Sequence, residues 1–257
     1  MATASNRTQA AAHVEHLRFG IDFGTGTLVV AAQWISSNQR IDDVPIDYLQ
    51  LRPRQDPEIE QTAVWVGDDE AEVAVKYGRM DVAQWRQENP NDDDKIIELA
   101  KLGLHEAFLH SPAVKRVFSV IGARHGDLGS LQEFITYHLR CVRRDSIEAY
   151  QKIFRDEQAT RSPDFESIPQ QWYITVPSLA TENANGVMLN AARNAGMERV
   201  NLVEEPLCAA ASALFQLHAK GRIQVCCFIS EIYSPVLTRC FRKAIASRFW
   251  TLDGGLP

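Results

Sequence analysis

Two segments far apart in the chain carry the residue types that phosphate chemistry needs. The first, Phe19-Gly20-Ile21-Asp22-Phe23-Gly24-Thr25-Gly26-Thr27, is an apolar stretch ending in a carboxylate and a Gly/Thr turn. Gly24 and Gly26 let backbone N–H groups approach a ligand without interference from a Cβ. Thr25 and Thr27 add hydroxyl donors, and Asp22 is placed to hold magnesium through water, because magnesium keeps much of its hydration shell. The second segment, Trp172-Tyr173-Ile174-Thr175-Val176-Pro177, runs on to Val203-Glu204-Glu205-Pro206 and has the parts of an opposite wall. On the first segment alone, a plain hairpin with glycines for turn geometry is the better-supported reading. No Gly-Lys-Ser/Thr follows it, so it is not a Walker loop; a strand follows the turn, so it is not a Rossmann fingerprint.

These residues need elements to hold them. Residues 18–23 and 28–35 read as a β-hairpin whose turn is 24–27. Residues 36–60 are polar and contain Pro45, Pro53 and Pro57, which predicts loop with one short strand near 48–51. Residues 63–66 and 72–77 read as a second hairpin around Gly67-Asp68-Asp69. Asp92, Asp93 and Asp94 precede Ile96, Ile97, Leu99, Ala100 and Leu102, whose spacing predicts a helix with acids at its N-terminus. Residues 121–129 are a glycine-containing loop. Ser130-Leu131-Gln132-Glu133 is a capping-box pattern that opens a long helix through about Phe154. Its apolar side holds Leu131, Phe134, Ile135, Leu139, Val142, Ile147 and Tyr150. After a charged linker at 156–169 come a strand (171–176), a helix (181–195) with Gly196 as its C-cap, and a short strand (200–203). Pro206 then suits the first position of an alanine-rich helix through His218. Strands interleaved with helices make the chain α/β.

The composition narrows the function classes. A chain of 257 residues with 45% hydrophobic and 23% charged residues has enough apolar material for a packed core. Net charge is −6, which gives no electrostatic reason to expect nucleic acid as a partner. No apolar run approaches the roughly 18 residues of a membrane span, so no membrane partner is expected. The five cysteines are odd in number and form no Cys-x-x-Cys pair, which fits a reducing, cytoplasmic setting. Seven scattered histidines show no zinc-site spacing.

The two segments occur in one order with the helix ending Asn190-Ala191-Ala192-Arg193-Asn194-Ala195-Gly196-Met197 and the run Glu205-Pro206-Leu207-Cys208-Ala209-Ala210-Ala211. Together they resemble the nucleotide-binding domain of the seventy-kilodalton heat-shock chaperone family, in the style of its divergent fungal-type relatives. That family lies within the actin-like ATPase superfamily. The resemblance covers roughly residues 18–220, strongly at the two ends and weakly between 36 and 120. It implies a ribonuclease-H-like lobe, a mixed β-sheet flanked by helices, that binds ATP and Mg2+. In that reading Asp22 falls on the magnesium-site aspartate, and Gly24 and Thr25 on the phosphate-clamping Gly-Thr. Gly26 stands where a second threonine is usual, with Thr27 beside it. Glu205 falls on the acid of the Asn-Glu-Pro step, with Glu204 in place of the Asn. Lys101 is the candidate for the phosphate-contacting lysine, although a solvated helix lysine is the alternative reading of the same position.

The resemblance fails beyond Gly221. A strand begins there, but Cys227 stands near the position of a second aspartate and no Asp-Gly-Gly-Gly-Thr turn follows. The expected organisation is a disordered lead at 1–17, a first lobe at 18–225 with the second lobe missing, and a divergent or aberrant tail at 226–257. Whether such a chain is an enzyme stays open, because the second phosphate and adenosine motifs are absent. The expectation is a Mg-ATP-binding module with little or no hydrolysis. The competing readings are a non-catalytic scaffold that keeps the lobe fold, or a fragmentary reading of a complete two-lobe ATPase. Protein clients and co-chaperones are not readable from the sequence.

Overall fold

The computed structural model describes residues 16–24, 26–35, 46–51, 58–60, 63–65, 75–91, 95–157, 165, 167–177 and 180–205. Expectations for the lead before residue 16, the helix after Pro206 and the tail at 226–257 lie outside the described residues, as does Thr25. Alternating apolar residues form β1 (His16–Phe23) and β2 (Thr27–Ile35), which pair antiparallel with Phe23 opposite Leu28. The first strand therefore begins two residues earlier than expected. β2 also pairs with two short strands, β3 (Asp47–Tyr48) and β4 (Glu58–Glu60). A small separate sheet has the order β6-β5-β7, from β5 (Ala63–Trp65), β6 (Val75–Tyr77) and β7 (Ile96–Ile97). On the other side of β1 lies β8 (Gln170–Val176), parallel to it, and then β9 (Val200–Glu204), parallel to β8. The main sheet thus runs β3-β2-β1-β8-β9 and is mixed. Its three parallel members all point their carboxyl ends toward one edge.

Among the described residues four α-helices accompany these strands: α1 (Arg79–Glu88), α2 (Pro112–Val120), α3 (Leu128–Glu157) and α4 (Glu182–Asn194). The apolar residues predicted for the long helix, from Leu131 to Tyr150, are all buried along α3. Tyr150 meets Phe19 edge-on at 6.2 Å, and Phe19 stacks on Trp172 at 4.2 Å, so α3 is keyed to the middle of the sheet. α4 connects β8 to β9 as a crossover helix between parallel strands. Thr181 caps its start by accepting from the Ala184 amide at 3.2 Å. Its end is a Schellman turn, in which the Met197 amide reaches the Ala192 carbonyl while Gly196 takes φ 88°.

Two local expectations are corrected. The stretch from Ile96 is not a helix: Ile96–Ile97 is a strand, and Ala100–Leu104 is a 3-10 turn. The two β-branched residues suit a pleated edge, and Leu99 takes φ 59°, which an α-helix cannot accommodate. A Cβ on Gly103 would come within 2.9 Å of Leu131, so the turn presses directly on α3. The capping box at Ser130 is also displaced. Asp127 caps α3 instead, its carboxylate accepting from the amides of Gly129 (3.0 Å) and Ser130 (3.4 Å) and from the Ser130 hydroxyl (2.9 Å). The Ser130 hydroxyl, with the Ser130 and Gly129 amides, holds the Asp127 carboxyl below its usual range. α1 and α2 carry no expectation from the sequence, although Ser111 caps α2 with Pro112 behind it, the usual start signal. No helix among the described residues is long and apolar enough to cross a membrane.

Candidate functional site

The carboxyl ends of β1, β8 and β9 converge on Lys101. Asp22 is the penultimate residue of β1, Thr175 the penultimate residue of β8, and Glu205 directly follows β9. Crevices outside the carboxyl ends of parallel strands are where open α/β sheets bind ligands, because the diverging chains leave room there. Here that edge is occupied by one ammonium group.

Lys101 sits in the 3-10 turn and its side chain is 0% exposed. Its Nζ donates to the Phe23 carbonyl, to the Thr175 carbonyl at 3.4 Å and to Glu205 Oε1 at 2.6 Å. An ammonium has three donors, and three acceptors from three strand ends surround it. Burial disfavours the charged form and lowers the Lys101 pKa, while Glu205 and, more weakly, Asp22 oppose that shift. The Phe23 ring lies 5.9 Å from Nζ and closes one side. Leu99, two residues earlier, holds a left-handed backbone conformation that costs on the order of 1–3 kcal/mol for a non-glycine residue. Such strain commonly accompanies a side chain that must be aimed.

Asp22 is oriented by Thr175. The Thr175 hydroxyl donates to Asp22 Oδ1 at 3.0 Å and accepts from the Phe23 amide at 3.1 Å, so one buried hydroxyl ties two strands and one carboxylate together. From the sequence alone Thr175 is only a residue of its strand. The signal was there: a single hydroxyl near the carboxyl end of an otherwise apolar buried strand.

The turn residues are placed less uniformly. Gly24 is buried, its amide donates to the Thr27 carbonyl at 3.0 Å, and a Cβ there would lie 2.8 Å from that oxygen. Glycine is therefore required by the turn itself. Gly26 is exposed with open space around it, and Thr27 is half-buried. Asp22, Lys101 and Glu205 are thus brought to one edge with Thr175 and the Phe23 carbonyl, and Gly24 shapes the adjoining turn. Among the described residues no group of three or more His, Cys, Asp or Glu side chains is arranged to hold a metal ion.

No protein-family model matches the chain, and no curated protein matches it at a significant level.

Proposed function

We propose that the chain is a Mg-ATP-binding module built as the first lobe of an actin-like, heat-shock-type ATPase. The observation that carries this reading is the buried Lys101 ammonium at the carboxyl ends of three parallel strands, with Asp22 and Glu205 beside it. A three-stranded antiparallel unit continued by two strands parallel to its first also supports the reading, since such a lobe is a mixed sheet flanked by helices. In this account Gly24 and its turn supply backbone amides to the phosphates. Lys101 offers its charge to a phosphate oxygen in exchange for part of its contact with Glu205. Asp22, steadied by Thr175, holds water of the magnesium shell. A bound magnesium ion would neutralise charge on the phosphates. Little or no hydrolysis is expected of these residues by themselves, because residues 221–257 hold no Asp-Gly-Gly-Gly-Thr turn for a second set of phosphate contacts.

A second reading has its own observation. Lys101 already has a full set of acceptors within the chain, which is also what a purely structural ion pair would show. In that case the lobe is a scaffold, and nucleotide plays no part in it. Equilibrium dialysis of the full chain against labelled Mg-ATP, with Asp22→Ala alongside, separates the two. Saturable binding that the variant loses supports the nucleotide module. No binding by a folded wild-type chain leaves the scaffold.

A further inference from the structure

We infer that the chain carries a second small-molecule site, for a compact oxyanion such as a phosphate ester or a dicarboxylate, at the opposite end of the main sheet. A cavity of about 300 Å³ opens there, at the amino ends of β8 and β9. Its lining includes Arg143 from α3, Ser167 from the approach to β8, Gln170 at the start of β8, and Gly196, Glu198 and Arg199 from the turn between α4 and β9. The volume is at the lower end of ligand pockets. Arg143 and Arg199 line it from different elements, with Glu198 as the one acidic residue in the lining.

The frame of this cavity is fixed by backbone bonds. The Arg199 carbonyl accepts from the Trp172 amide at 2.8 Å, and the Pro169 carbonyl accepts from the Leu17 amide at 2.9 Å. The Schellman turn sets the path from Met197 into β9. Arg143 is steadied in turn: its Nη2 donates to Gln170 Oε1 at 3.4 Å, while Gln170 Nε2 donates to the Phe165 carbonyl at 3.1 Å. Gly196 lies against the guanidinium: its backbone takes φ 88°, and a Cβ there would sit 3.6 Å from Arg143 Nε. Planar guanidinium forks recognise carboxylate and phosphate oxygens by paired hydrogen bonds. Ser167 and Gln170 add polar groups at the wall, and Glu198 sets a limit on how much negative charge the site accepts. The inference does not depend on the nucleotide reading, because none of these residues belongs to the Lys101 site.

The test is calorimetric titration of the full chain with inorganic phosphate and, separately, with succinate, at constant ionic strength. Each titration is repeated with Arg199→Gln, Glu198→Gln and Lys101→Met. Saturable binding of at least one probe is expected, weakened about tenfold by Arg199→Gln, tightened by Glu198→Gln and retained by Lys101→Met. Phosphate alone would identify a phosphate ester as the ligand class, and succinate alone a carboxylate. No saturation by either probe on the folded chain, or saturation indifferent to Arg199→Gln, overturns the inference.

Discussion

The two ends of the main sheet handle charge in opposite ways. At the carboxyl ends of β1, β8 and β9, opposite charges face one another: the buried Lys101 ammonium, the partly exposed Glu205 carboxylate and the half-buried Asp22 carboxylate, which the Thr175 hydroxyl holds. At the amino ends of β8 and β9, two arginines, Arg143 and Arg199, line an open cavity. The difference is one of competition. A ligand at the first end must displace an internal partner, which favours a strongly anionic ligand that brings its own cation. A ligand at the second end meets an open volume, where the competing contact is the longer bond from Arg143 to Gln170. One sheet therefore presents a guarded edge and an open one, and the protein's chemistry is expected at the guarded one.

The comparison breaks most severely if the shared middle of the sheet is removed. Trp172 is fully buried and stacks on Phe19, between the two ends. Trp172→Ala should cost about 3–5 kcal/mol, read as a lower midpoint in urea unfolding, and should weaken both sites together. A loss below about 1 kcal/mol would mean that the stack is not the common support.

A smaller change should touch one end alone. Thr175→Val keeps the shape of the side chain but deprives the buried Phe23 amide of this acceptor and Asp22 of this donor. The expected cost is about 1–3 kcal/mol, accompanied by weaker Mg-ATP binding and unchanged anion binding at the cavity. Unchanged Mg-ATP affinity would remove Thr175 from the site.

The smallest effect is one of pH. Burial lowers the Lys101 pKa below the ordinary lysine value of 10.5, with Glu205 and Asp22 opposing. The unfolded chain then binds this proton more tightly than the folded chain does. Stability from this group should rise with pH between the lowered folded value and 10.5, and be flat on either side. The difference between the unfolding free energies of wild type and Lys101→Met should show that rise in the alkaline range. A flat difference curve would contradict the burial argument.

What the sequence disclosed follows from how local each signal is. The first hairpin, α3 and the β8-α4-β9 unit rest on alternation, helical spacing and the Gly196 stop signal, all of which act within a few residues. Asp22 and Glu205 were legible as acids at the ends of apolar strands. The role of Thr175 was not, because its partner Asp22 is 153 positions away and nothing near it in sequence marks the contact. Lys101 was named from a resemblance, but its burial was hidden. The apolar spacing of Ile96, Ile97, Leu99, Ala100 and Leu102 mimics a helix, and a helix would have left that lysine in solvent. The left-handed Leu99 and the close approach of Gly103 to Leu131 fold it inward, and both are tertiary facts. Likewise, the Asp127 cap prevailed over the Ser130 pattern because its carboxylate reaches both amides at the start of α3.

The central claim is that Lys101 serves a bound nucleotide and not only the fold. Calorimetric titration of Mg-ATP into wild type and Lys101→Met tests it most directly. The variant replaces the ammonium with an apolar chain of similar length, and Glu205, with 42% of its side chain exposed, can regain water. The account predicts saturable binding by wild type and none by a variant that still melts cooperatively. Equal binding by both chains, or no binding by a folded wild type, would contradict it.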